Sequence, residues 1–418
     1  MEKFSKIGKI CKDFDIVQLR SVLVKNDSGD WGSEPDNNAV GIIRSTNFNN
    51  DGKLDLKNIA YRTLSSRKLE EKRLFDTEIL VERSGGSETQ PVGRVGYITN
   101  EIAKDVFAFA NFIQRISLNE TVNSKFIYYC LQHLYEMGVT SGMQTQTTGI
   151  RNLDWKQYIN TYLPKPSLPE QTAIANILSK VDEAIESVKK SIDAAERLKK
   201  SLMQNLLTGK MKADGTFRTE EEFYDDPKFG KVPVGWEVKR LGNIFKIKAG
   251  GDLQENYYSP IHDEHYRYPI FSNTIESAGL YGYTSAPKFF SKESLTIVGR
   301  GVGVGHVEYR NGNYDAIIRL ITLIPKQETN VDCRYVCYYI DQYVHFAIES
   351  TGVPQLTCPK VFSTKIVLPQ DITEQNQISQ KIYQIDNYIN NKQSKITTLE
   401  RLKKSLMQNL LTGKVRVK

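Results

Sequence analysis
The sequence predicts an α+β protein built as a pseudo-twofold internal repeat: two globular heads separated by two long helices that pair as an antiparallel coiled coil. Three observations carry this expectation. Glu196–Lys210 and Glu400–Lys414 both read ERLKKSLMQNLLTGK, fifteen identical residues at an offset of 204. Upstream of each, apolar residues recur in alternating steps of four and three, the seam of a coiled coil. The blocks between these segments combine β-rich runs, glycine turns and one helical stretch each, as compact mixed modules do.

The long helices come first. Pro169 suits a first helical turn, and Glu170 favours the positive end of the helix dipole. The first seam runs Ile174, Leu178, Val181, Ile185, Val188, Ile192 and Ala195. The second runs Ile378, Ile382, Ile385, Ile389, Lys392, Ile396 and Leu399, with Lys392 as a polar break. Thr208-Gly209 and Thr412-Gly413 supply C-terminal caps. Each helix is expected to span about 38 residues, roughly 57 Å. A helix of that length must bury its seam, and the other copy is present at intramolecular concentration. Thr148-Gly149-Ile150-Arg151-Asn152-Leu153 before the first helix is echoed by Thr351-Gly352-Val353-Pro354-Gln355-Leu356 before the second. Leu163-Pro164 is read as the echo of Leu368-Pro369, and Phe14–Leu19 as that of Trp236–Leu241.

In the first head, Asp76–Arg83 reads as a strand entering the turn Ser84-Gly85-Gly86, and Asn123–Met137 as a helix. In the second, Ser294–Val298 reads as a strand entering Gly299–Gly305, and Arg334–Ala347 mirrors the first head's helix. Both heads thus place an arginine, Arg83 or Arg300, where a strand meets glycines. Glycine lets backbone approach a ligand closely, and arginine can clamp phosphate or pair with guanine. The polar stretches Gln144–Thr147 and Gln355–Thr357 are read as turns able to reach bases. Each arginine could equally serve an internal ion pair.

Composition sets the outer bounds. At about 150 residues per domain, 418 residues allow two or three domains, and 39% hydrophobic with 25% charged residues suits folded cores. Lys+Arg minus Asp+Glu is 56 − 49 = +7, a mild excess that fits nucleic acid or an acidic partner. No apolar run is long enough for a membrane span, and no apolar stretch follows Met1–Lys6, so neither a membrane protein nor a secretory signal is expected. The five scattered cysteines argue for a reducing, cytoplasmic setting, with Cys333 and Cys337 structural on a helix. No metal site is expected; His262-Asp263-Glu264-His265 reads as a solvated loop. Gly299–Gly305 leads into a strand, so it is not a dinucleotide loop, and no phosphate loop, amino-methyltransferase or nucleophile-elbow motif occurs.

Leu163-Pro164, Pro169-Glu170-Gln171 with its helix, the ending Lys199–Lys210, and the opening Val232–Gly242 (VPVGWEVKRLG) together carry a resemblance. The chain resembles the specificity (S, HsdS-type) subunit of type I restriction-modification systems over essentially its whole length. The first opening departs, with Phe14-Asp15 where Trp-Glu is usual.

The resemblance implies a plan. Residues 1–163 and 232–368 would be target recognition domains, 164–210 and 369–418 the conserved coiled-coil helices, and 211–231 a linker. The heads would read the two parts of a bipartite, asymmetric site in double-stranded DNA. Candidate DNA contacts are Arg44, Asn47, Arg83, Gly85, Gly86, Arg94, Gln144 and Arg151 in the first head. In the second they are Lys248, Asn273, Arg300, Gly301, Gly303, His306 and Gln355. The helices would dock two modification (adenine methyltransferase) subunits through Arg197, Lys200, Gln204, Arg401, Lys404 and Gln408. Restriction/translocase subunits would join that core. The chain itself would be no enzyme and bind no cofactor, with S-adenosylmethionine, ATP and Mg on the partners. The alternatives are the recognition part of a fused or partner-dependent enzyme, or a coiled-coil scaffold without a DNA role.

Overall fold
The computed structural model describes residues 3–87, 90–147, 150–347 and 354–417. Thr148-Gly149 and Thr351-Gly352-Val353, singled out above as a repeated motif, lie outside the described residues. The chain forms two compact units, Met1–Lys189 with Ser394–Lys418, and Lys190–Gln393. The long helices span Leu168–Leu206 and Ile372–Leu411, so each begins in one unit and ends in the other.

In the first unit a four-stranded antiparallel sheet runs Leu23–Ser28, Ile113–Leu118, Ile79–Glu82, Val95–Tyr97. The helix Ser124–Glu136 packs on it, capped by Asn123, whose side chain accepts from Phe126 N. Its core joins Ile79, Val95, Phe126 and Tyr129 to Ile174 and Leu178 at the start of the first long helix. Met407, Leu410 and Leu411, from the end of the second long helix, complete it. The second unit repeats this with Phe245–Ala249, Ile321–Pro325, Glu293–Ile297, Val307–Asn311 and the helix Cys333–Tyr343. There Met203, Leu206 and Leu207 meet Ile378 and Ile382. Within each unit the start of one helix lies against the end of the other, so the two run antiparallel.

The seam is more deeply buried in the first helix than in the second. Ile185, Val188, Ile192 and Ala195 are all buried, whereas Ile385, Ile396 and Leu399 are half-buried and only Ile378, Ile382 and Ile389 are closed off. Cys333 and Cys337 lie within the second head's helix, and burial pushes both thiols up. His262–His265 are all exposed. Residues 211–231 carry local structure: the hairpin Phe223–Asp226 with Gly230–Pro233 begins there, and Val232 closes it into the core.

The repeated motifs act as latches, built once in each unit. Gln171 accepts the backbone N–H of Asn123 at 2.8 Å and donates to the Pro166 carbonyl at 2.8 Å. Gln375 does the same with Asp332 N–H at 2.9 Å and the Pro369 carbonyl at 2.7 Å. Glu170 is held by Arg416 through two bonds of 2.8 and 2.9 Å; Glu374 is held by Arg218 at 2.5 Å. Asp182 accepts from the Tyr129 hydroxyl at 2.8 Å and meets Lys403 at 2.8 Å. Asp386 accepts from Tyr338 at 2.6 Å and meets Lys199 at 2.6 Å. Each carboxylate thus pairs with the lysine of the other repeat copy.

One sequence correspondence changes. The opening strand Asp15–Gln18 pairs with Tyr162–Lys165, and Trp236–Arg240 with Lys365–Pro369. Asp15 faces Lys165 and Glu237 faces Leu368, so Lys165-Pro166, not Leu163-Pro164, is the counterpart of Leu368-Pro369. The glutamine latches, which close on Pro166 and Pro369, give the same alignment. Phe14 takes the place of Trp236: Arg416 lies over the Phe14 ring and Arg218 over the Trp236 ring. Phe14 is fully buried, so the first head does open there.

Candidate nucleic-acid interface
In the first head, strand Ile79–Glu82 runs into exposed Arg83 and the short strand Ser84–Gly86. That strand pairs with Ile150–Leu153, which pairs with Gln144–Thr147. Gln144–Thr147 is therefore a strand and not the turn expected from its polarity; pairing with Ile150–Leu153 satisfies its backbone. This three-stranded sheet gathers Arg83, Gly85, Gly86, Gln144 and Arg151. Gly85 is in the left-handed region at φ 105°, which favours glycine there. Beside Arg83 a groove of about 550 Å³ is lined by Asn111, Phe112, Thr145, Asn152, Trp155 and Lys156. Sequence reasoning passed over all of these but Thr145, because only the fold brings Phe112 and Trp155 to the arginine.

Two first-head candidates turn inward. Arg94 is buried; its Nε and Nη2 donate to Glu82 at 2.8 and 2.6 Å, and its remaining bonds go to the Phe48 and Ser45 carbonyls. Burial pushes the Glu82 carboxyl up, and the guanidinium opposes that shift. Asn47 is buried, accepting from Arg44 N–H at 2.9 Å and donating to the Asp55 carbonyl at 2.8 Å. Both residues brace the framework, which corrects the expectation that they face DNA. Arg44 itself is half-buried beside Asn47.

The second head repeats the scaffold with different side chains. Exposed Arg300 bridges Gln355, Leu356 N–H donates to the Gly299 carbonyl at 2.8 Å, and Gly301 N–H reaches the Pro354 carbonyl. The first head has the matching bond, Leu153 N–H to the Arg83 carbonyl at 2.8 Å. Gly301, Gly303 and Gly305 are all left-handed, at φ 92–93°. His306 Nε2 lies 3.0 Å from Glu308. Lys248 is exposed on the edge strand, at the sheet end from which Arg300 issues, as the Ala249–Ile321–Ile297 register shows. Asn273 is spent on backbone: it accepts Gly299 N–H at 2.9 Å and donates to the Ile318 carbonyl. These bonds tie the turn to the loop at Ile318.

The expected docking residues Arg197, Lys200, Gln204, Arg401, Lys404 and Gln408 are all exposed. Leu198 and Leu402 are exposed beside them. Within the identical segment, only Lys199 and Lys403 of the charged residues turn in to the latches described above.

A family model, the type I restriction modification DNA specificity domain, matches residues 12–197 and again 233–401. The chain belongs to that family. Each match takes in one head with most of the long helix that follows it, so the chain holds two specificity domains. The putative type I restriction enzyme MjaX specificity subunit of Methanocaldococcus jannaschii is 26% identical, covering 100% of this chain and 97% of that protein. The MjaIX specificity subunit of the same organism is 23% identical, covering 99% and 96%. The crystal structure of a type-I restriction-modification S subunit from M. genitalium aligns with TM-score 0.62 at 16% identity, covering 98% of this chain and 99% of that one. That likeness establishes the fold of the two specificity domains. No helix among the described residues is long and apolar enough to cross a membrane.

Proposed function
We propose that this chain is the non-catalytic, DNA-reading subunit of a type I restriction-modification complex. Each specificity domain reads one part of a bipartite, asymmetric site in double-stranded DNA. The long helices set the gap between the parts and dock two modification subunits, which methylate adenine; restriction/translocase subunits join them. S-adenosylmethionine, ATP and Mg belong to the partners, and the complex works in the cytoplasm.

One observation carries this reading: the same latches are built twice, while the tips they support differ. Equivalent supports suit equivalent enzymes, and unlike tips suit an asymmetric target. In the first head Arg83 and Lys156 line a groove with Phe112 and Trp155. In the second, Arg300 stands among glycines beside Gln355. Arginine and lysine would supply salt-dependent phosphate affinity, and the polar and aromatic side chains would supply base reading. The exposed faces carrying Arg197, Lys200 and Gln204, or Arg401, Lys404 and Gln408, offer two copies of one surface to two copies of one partner.

The test is to express the chain with its modification partner and sequence the methylated adenines. A two-part asymmetric motif is expected. Exchanging residues 232–368 for another second head should change one part and leave the other intact. A continuous motif, or both parts changing, would overturn the reading.

A further inference from the structure
Strain in the second head is concentrated at one place. Of five non-glycine residues with left-handed backbone among the described residues, four are Ser277, Ala278, Ile318 and Arg319. For a β-branched residue such as Ile318 (φ 54°) that conformation is costly, and it persists only where surroundings enforce it. Asn273 enforces it here, joining the Gly299 N–H to the Ile318 carbonyl. Arg310 holds the other loop, donating to the Ala278 carbonyl at 2.8 Å and to Thr296 at 2.8 Å. A methyl group on Gly299 would come within 2.9 Å of the Arg319 carbonyl, and one on Gly303 within 2.9 Å of Ile275 Cγ2. The loops 273–279 and 317–320 therefore converge on the turn 299–305.

What this strained frame presents is apolar at its summit and basic around it. Val302 is 91% exposed, with Ile318 at 55% and Ile275 at 48%. Arg300 and Arg319 are exposed beside them. Three exposed aliphatic side chains thus stand near two exposed arginines. They match the edge of a duplex, where the thymine 5-methyl is the one apolar group the major groove offers. The geometry points to Val302 as a thymine-methyl probe: the second head reads an A·T pair through apolar contact at this tip, with Arg300 and Arg319 fixed on flanking phosphates. This rests on the DNA-reading function proposed above.

The test uses the full chain with its modification partner and the duplex defined by its methylation motif. Each thymine of the part read by the second head is replaced in turn by deoxyuridine, which removes the methyl group alone. Binding should weaken about fourfold at one position, the value of one buried methyl-sized group. V302A, at a site too exposed to disturb folding, should bind the thymine duplex more weakly and no longer distinguish it from that deoxyuridine duplex. Arg319→Gly should relieve the left-handed strain, keep or raise thermal stability, weaken binding to all duplexes alike, and lower the salt slope by about 1. The inference is overturned if that part of the site contains no A·T pair, if no deoxyuridine position matters, or if V302A keeps the full deoxyuridine penalty. These failures leave sequence-specific binding intact; loss of the DNA-reading function would instead appear as no specific binding to the motif at all.

Discussion
Replacing Lys403 by methionine should cost far more than the same change at Lys199, although both lie in the identical fifteen-residue segment. The Lys403 side chain is 9% exposed and its partner Asp182 17%; Lys199 and Asp386 are 29% and 25% exposed. Methionine keeps the aliphatic stem and removes the charge. At Lys403 this leaves half-buried Asp182 without the charge that stood 2.8 Å from its Oδ1, an atom with no hydrogen-bond donor of its own. Breaking such a pair costs about 3 kcal/mol, the low end for buried pairs, because some water still reaches Asp182. Around Lys199 water reaches both partners, and the loss should be about 1 kcal/mol. The difference of about 2 kcal/mol is roughly 30-fold in an opening equilibrium. Native-state hydrogen exchange of the helices Ser124–Glu136 and Cys333–Tyr343 reads each unit separately. Adding D182N to K403M should recover most of the loss, since it removes the uncompensated charge. Equal losses in both units, or a larger one from K199M, would refute the argument.

Other outcomes follow from the same geometry. R94A should destabilise the first unit by about 3–5 kcal/mol by stranding buried Glu82, whereas R83A should leave stability unchanged and weaken DNA binding; thermal melts beside a gel shift separate them. G413A should destabilise the first unit by about 1–2 kcal/mol, and G209A the second by a similar amount. Gly413 and Gly209 are left-handed at φ 72° and 68°, and an added methyl would lie 2.9 Å from Phe14 or 3.1 Å from Trp236. Lys125 sits over the rings of Tyr97 and Tyr128 at 3.8 and 4.8 Å, and burial lowers its pKa from 10.5 to about 8. The folded state then releases this proton before the unfolded chain does, so first-unit stability should rise between pH about 8 and 10.5. The rise should be on the order of 1–3 kcal/mol, as the tyrosine faces return part of the burial cost. Burial raises Tyr97 and Tyr128, which opposes the rise only toward its upper end. K125M should remove the rise, which urea melts across this range would show.

The long helices were legible because the seam and the duplicated segment are local signals; the antiparallel sense followed from the pseudo-twofold duplication, since a seam alone does not give direction. The meaning of the Glu-Gln pair after Pro169 was not. Its partners Asn123, Pro166 and Arg416 lie 48, 5 and 246 residues away, and only the fold joins them. The apparent echo of Leu163-Pro164 in Leu368-Pro369 was misleading because dipeptide identity cannot see strand register. Arg83 and Arg300 were found through their glycines, but Arg94, two residues before a glycine of its own, looked alike and is buried. Side-chain type gives the capacity to bind phosphate; burial decides whether that capacity is spent inside. Ile318 and Arg319 carried no signal at all, since left-handed backbone at a β-branched residue is a property of the surrounding loops.

The central claim is that the paired helices are a ruler between two unlike readers. Inserting three heptads after Lys189 and three after Gln393 keeps the seam in register and lengthens each helix by about 31 Å. That length is about 9 base pairs, close to one turn of duplex, so both heads should again meet the same face. Mapping the methylated adenines of this variant should give the same two half-sites separated by a longer spacer, on the order of 9 base pairs longer. An unchanged spacer, or altered half-sites, would contradict the account.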